Sequence, residues 1–143
     1  MKFWDTSALI PLLTEQADSP RAREILSVDP GLVVWWGSQV EIASAFSRLN
    51  REGVFDETVR SRLESSADRL LSAALEILPT TTLRRTACTL FRRHPLRAAD
   101  ALQLAAALVW SDHRPFDREL VCLDTRLAAA ARGEGFTVLP GGL

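Results

Sequence analysis

Apolar positions along this chain fall into two patterns: short runs of strand length and longer stretches with helical spacing. Residues 2–4 read as a strand, and the apolar spacing of 8–13 places a helix over 6–14 that Pro11 kinks or shortens. A second helix follows Asp18-Ser19-Pro20, with the serine capping and the proline in the first turn. Behind the turn signal Asp29-Pro30-Gly31, the run 32–35 predicts a second strand. Gly37-Ser38 opens a helix to about residue 50 that buries Ile42, Ala45, Phe46 and Leu49. An amphipathic helix over 56–74 carries Val59, Leu63, Leu70 and Leu71, and residues 76–79 form a brief third strand. Residues 82–92 read as helix, and Pro95 starts another from Leu96 to about Trp110 that is apolar nearly all round. A fourth strand at 120–123, a helix over 125–132 ended by Gly133 and a last strand at 136–139 complete the chain. This alternation predicts an α/β fold: a single domain over 1–143 with a short parallel sheet of four or five strands in a three-layer α/β/α sandwich.

Composition narrows the function classes. The 143 residues, 47% hydrophobic and 24% charged, are those of an ordinary globular protein. A net charge of −1 supplies no global field toward nucleic acid, so a polyanion partner needs a local basic patch or a bound cation. Lys2 is the sole lysine, and the other cationic side chains are arginines. Cys88 and Cys122 are too few and too scattered for a disulfide framework or a zinc site and read as buried free thiols. Asp5 interrupts any signal-peptide pattern, and the apolar stretch 98–110 contains Asp100 and Gln103 and is too short to span a bilayer. A cytoplasmic protein without a membrane anchor is the expectation.

The candidate chemistry lies in acids. Asp5 follows the first predicted strand, Glu41 opens the helix after the second, Asp100 falls early in the apolar helix and Asp124 follows the fourth strand. Two readings stand for them. Asp5 and Asp124 serve as helix N-caps, and Ser38-Gln39-Val40-Glu41 matches a capping box. With a helix opening near Pro95, Asp100 lies past the capping positions and shares a face with Leu104, Ala107 and Leu108, where an uncompensated charge is costly. Convergence on one pocket is the other reading, because carboxylates about 4 Å apart repel by roughly 4 kcal/mol at an effective dielectric near 20 and a hard dication reverses that. Mg²⁺, with Mn²⁺ as the alternative, suits such oxygen ligands and the hydrolysis of a phosphodiester. Thr6 and Ser7 would support the ion's water shell or a substrate phosphate, or serve only as turn residues. His94 and His113 read as surface residues. A receiver domain would need a lysine near the last strand, a dehalogenase-type phosphatase a second aspartate where Ser7 stands, and a nucleotide-binding module a glycine-rich loop opening a helix.

Asp5-Thr6-Ser7-Ala8-Leu9, Val40-Glu41-Ile42-Ala43-Ser44-Ala45, the segment from His94 through Leu96-Arg97-Ala98-Ala99-Asp100-Ala101-Leu102-Gln103-Leu104 to Ala107, and Val121-Cys122-Leu123-Asp124-Thr125-Arg126-Leu127 closely resemble PIN domains of the VapC toxin type. The likeness runs along the full chain in order. It implies a metal-dependent endoribonuclease with Asp5, Glu41, Asp100 and Asp124 around Mg²⁺ or Mn²⁺. It also implies a homodimer held inactive by a VapB-type antitoxin whose tail fills the active-site groove. Many relatives carry threonine where this chain has Cys122, and Asp117 is an alternative fourth acid. Arg84, Arg85, Arg92 and Arg93, with Arg48 and Arg51, are candidates for RNA-phosphate contacts or for a solvated helix face. Trp4, Trp35, Trp36 and Trp110 would stack bases or pack in the core or a dimer interface. The alternatives are a PIN nuclease for RNA processing or structured nucleic acid outside a toxin pair, and a non-catalytic PIN-like domain that binds RNA or protein.

Overall fold

The computed structural model describes residues 1–142. Strands β1 (Lys2–Trp4), β2 (Leu32–Trp35), β3 (Leu75–Ile77), β4 (Glu119–Val121) and β5 (Thr137–Leu139) form one sheet in the order β3-β2-β1-β4-β5. Every pairing is parallel, with Phe3 opposite Val33 on one side and Leu120 on the other. The chain winds outward from β1 through β2 to β3, then returns to β4 on the far side of β1. That reversal is a topological switch point, where ligands bind beyond the carboxyl ends of the strands.

Strand alternation divides the core between the two faces. Phe3, Val33, Trp35, Leu120 and Val138 pack against Leu83, Leu90, Leu104 and Leu127 on α5 (Thr81–Leu90), α6 (Ala98–Trp110) and α7 (Thr125–Glu134). Trp4, Leu32, Val34 and Val121 pack against Leu9, Ala22, Ile42, Phe46 and Ala67 on α1 (Thr6–Leu13), α2 (Ser19–Val28), α3 (Ser38–Arg51) and α4 (Glu57–Ser72). The three-layer α/β/α expectation therefore holds, with five strands. Among the described residues no helix is long and apolar enough to cross a membrane.

Several local expectations are corrected. Ser19 does not cap α2 but is its first residue, accepting from the Gln16 amide at 2.8 Å and donating to the Thr14 carbonyl at 3.1 Å to tie α1 to α2. Helix α6 opens at Ala98 and not at Leu96, because Asp100 reaches back to the Arg97 amide at 3.3 Å and fixes the start there. Helix α7 continues through Gly133 to Glu134 and stops at Gly135, the residue with φ of 111°. The Phe136 amide then bonds the Ala131 carbonyl at 3.0 Å and the Gly135 amide that of Arg132 at 3.0 Å, the Schellman pattern. Cys88 is exposed, whereas Cys122 is buried just past β4. His94 is half-buried, its Nε2 2.7 Å from Glu134 Oε1, so it is not a loose surface residue.

Candidate active site

Two of the acids end the central strands. Asp5 follows β1, its amide bonds the Val121 carbonyl of β4 at 2.9 Å, and its Oδ2 caps α1 by accepting from the Ser7 amide at 3.0 Å. Ser7 Oγ donates to the same oxygen at 2.5 Å and accepts from the amides of Leu123 at 2.9 Å and Asp124 at 3.2 Å. One hydroxyl thereby fastens the turn after β4 to the acid after β1. Asp124 caps α7, Oδ1 accepting from the Leu127 amide at 2.8 Å. Capping and convergence prove to be compatible: the same side chains do both.

The other two acids come from helix starts. The Ser38–Glu41 capping box does not form, and no side chain caps α3. Glu41 instead turns toward α6, where its Oε2 accepts from Gln103 Nε2 at 2.8 Å. Asp100 stands in the first turn of α6 and thus within capping range, contrary to the expectation for a helix opening near Pro95. Asp5, Glu41, Asp100 and Asp124 line a single cleft of about 460 Å³ together with Thr6, Ser7, Arg48 and Arg97. Asp117 precedes β4, at the opposite end of the strand from Asp124.

Asp5 Oδ2, Glu41 Oε2, Asp100 Oδ2 and Asp124 Oδ1 accept the bonds described, and the Thr6 amide also bonds the Asp5 carboxylate. Burial raises the pKa of Asp5, against the Ser7 hydrogen bonds and with the Asp100 charge adding to it. Burial also pushes Glu41 up to about 7; the Gln103 bond opposes this, and the charges of Asp5 and Asp100 reinforce it. For Asp100 burial and the Asp124 charge raise the pKa over the opposition of the Arg97 amide, Arg126 and Arg97. The acids thus crowd negative charge together, with Arg48 and Arg97 at the cleft and Arg126 acting on Asp100 as the nearby cations. Among the described residues no three of the His, Cys, Asp and Glu side chains already stand in an ion's coordination shell. Their all-oxygen donor set and mutual repulsion fit a hard cation that keeps several waters better than a ready-made protein cage.

Cys122 lies beneath this site, its Sγ 3.7 Å from Asp5 Oδ2 and 3.4 Å from the Asp124 carbonyl. Burial and the Asp5 charge push its thiol up, so it remains protonated beside the acid. Thr6 accepts from Gln103 Nε2 at 2.9 Å. Of the arginines considered for RNA, Arg48 lines the acid cleft, joined by Arg97, which sequence reasoning did not single out. Arg85 and Arg93 line a different cavity of about 330 Å³, and Arg93 Nε pairs with Glu134 at 2.9 Å. Arg84 and Arg92 are exposed at α5 and just after it. Trp4 and Trp35 are core residues, Trp110 packs under Arg118 at 5.2 Å, and Trp36 is half exposed. Gln103 was also missed; its signal was a lone amide in a helix segment otherwise almost wholly apolar.

The fold and the cleft define a doubly wound α/β protein whose acids gather at the switch point of a parallel sheet. The chain belongs to the PIN domain family, whose model matches residues 2–133. No curated protein matches the sequence. Its fold is similar to that of a toxin–antitoxin complex chain from Klebsiella pneumoniae, at 18% identity and a TM-score of 0.66 over 90% of this chain and 91% of that one. FitAcB from Neisseria gonorrhoeae is similar at 17% identity and a TM-score of 0.67, covering 96% of each chain. VapC20 of Mycobacterium tuberculosis, described as a toxin that cleaves the sarcin–ricin loop, is similar at 20% identity and a TM-score of 0.67 over 96% of this chain and 97% of that one.

Proposed function

We propose that this protein is a Mg²⁺-dependent endoribonuclease, the toxin of a VapBC-type toxin–antitoxin pair acting in the cytoplasm, with Mn²⁺ able to replace Mg²⁺. The observation that carries the proposal is the cleft where Asp5, Glu41, Asp100 and Asp124 meet. Their carboxylate oxygens would hold the cation, which when bound polarises a phosphoryl oxygen and lowers the pKa of a water. Ser7 fixes Asp5 and the β4–α7 turn in one geometry, so Asp5 and Asp124 need no rearrangement relative to each other. Arg48 and Arg97 at the same cleft supply positive charge for the phosphodiester backbone, a contact that positions RNA without reading its sequence.

The antitoxin partner is supported by likeness to a chain of a solved toxin–antitoxin complex and by a groove of about 220 Å³ floored by Ile42, Phe46 and Ala67. That groove lies between α3 and α4. A homodimer is part of the same proposal and is checked by sedimentation of the purified chain. The decisive experiment is cleavage of RNA with and without Mg²⁺ by the protein and by Asp5→Asn. The expected result is Mg²⁺-dependent cutting, lost on chelation and slowed about 100-fold or more in Asp5→Asn at unchanged thermal stability. Cutting that survives the substitution contradicts the assignment. RNA binding without cutting would favour a non-catalytic domain, and growth arrest not relieved by the neighbouring small protein would favour a nuclease outside a toxin pair.

A further inference from the structure

Helix α6 passes behind the acid cleft, and there its Gln103 side chain is only 1% exposed. Gln103 Nε2 lies 2.8 Å from Glu41 Oε2, 2.9 Å from Thr6 Oγ1 and 3.1 Å from Ser38 Oγ. Ser38 is fully buried and Thr6 nearly so, so one amide joins α1, α3 and α6 in a sealed polar knot. The amide nitrogen carries two hydrogens; the carboxylate is the only charged acceptor and the nearest, and the hydroxyls share the other hydrogen. Gln103 Oε1 is buried with no partner among the described residues. A leucine at this buried position would leave no orphaned oxygen, so packing alone does not explain a glutamine.

Asp100 and Gln103 are one helical turn apart, on the same face of α6. This helix therefore places one acid in the cleft and touches a second through its amide. We infer that Gln103 is a positioning residue for Glu41: it secures Oε2 from behind and leaves Oε1 presented to the cleft as an ion ligand. The inference rests on the cation-dependent reading above. The Thr6 and Ser38 hydroxyl oxygens accept the amide's other hydrogen, and an ionised Glu41 carboxylate, which only accepts, selects the nitrogen side of the amide.

The test is Mn²⁺ affinity, measured by titration calorimetry on the full chain, for the unaltered protein, Gln103→Met, Glu41→Gln and the double variant. The expected result is an affinity about 10-fold weaker in Gln103→Met. In the Glu41→Gln background the same change should leave affinity within about twofold, because the side chain it positions has already lost its charge. Unaltered affinity in Gln103→Met, or an equal loss in the Glu41→Gln background, overturns the role while leaving the nuclease proposal standing. Absence of Mn²⁺ binding by the unaltered chain overturns both. If Gln103→Met fails to fold by circular dichroism, Gln103→Asn takes its place with the same expectations, since it keeps the amide but ends one methylene short of Glu41.

Discussion

Glu41 without a cation carries its proton up to about pH 7, because burial and the charges of Asp5 and Asp100 outweigh the Gln103 bond. The unfolded chain releases that proton near 4.5, so between these values the folded state binds more protons than the unfolded one. Stability from this group is complete below about pH 4.5 and is lost as pH rises through about 7. Asp5 and Asp100, also raised, act in the same direction. Asp29 and Glu134 are lowered and act with the opposite sign, but only below that window. Thermal unfolding of the chelated protein should therefore give a higher Tm at pH 5 than at pH 8, and added Mn²⁺ should close the gap. A metal-free protein more stable at pH 8 would contradict the charge crowding described for the cleft. At this scale the sequence showed Asp5, Glu41, Asp100 and Asp124 by their places after strands and at helix starts. It did not show Gln103 or Arg97, whose roles depend on which helix faces which acid.

Helix ends account for most of the differences between the sequence reading and the structure. Gly133 and Gly135 both qualify as a stop signal by composition, and only the backbone distinguishes them: Gly135 has φ of 111° and Gly133 remains helical. A Cβ on Gly133 would lie 3.0 Å from His94 Cε1, so that glycine serves the approach of His94 to Glu134 instead. Gly135→Ala should destabilise the protein by about 1–2 kcal/mol, read from denaturant midpoints, because an L-residue is strained there. A loss within experimental error would mean that α7 can end elsewhere. Pro95 similarly misplaced the start of α6, which is set by the bond from Asp100 to the Arg97 amide. That shift changes the chemistry of Asp100, which is a first-turn acid with one oxygen engaged and not a charge stranded along a buried face. Helix propensity and apolar spacing located every element, but caps that depend on tertiary neighbours moved their ends by one or two residues.

Across the molecule, the order β3-β2-β1-β4-β5 brings the ends of β1 and β4 side by side and so unites acids separated by more than a hundred residues in sequence. Alternating strands and helices implied the layers, yet strand order is not written in any local pattern, and convergence of the acids could only be posed as a question. The order answers it, because the reversal next to β1 opens the cleft between α1, α3, α6 and α7. The arginine track was less legible, since exposed arginines on α5 look alike in sequence whether or not they share a cleft with the acids. The claim on which the functional account rests is that these carboxylates share a hard cation. Anomalous diffraction from crystals soaked in Mn²⁺ tests it most directly. The account predicts a manganese peak in the cleft within about 2.0–2.4 Å of carboxylate oxygens of at least Asp5 and Asp100, with waters completing the shell. A saturated crystal with no peak there, or with manganese bound only elsewhere on the protein, would contradict it.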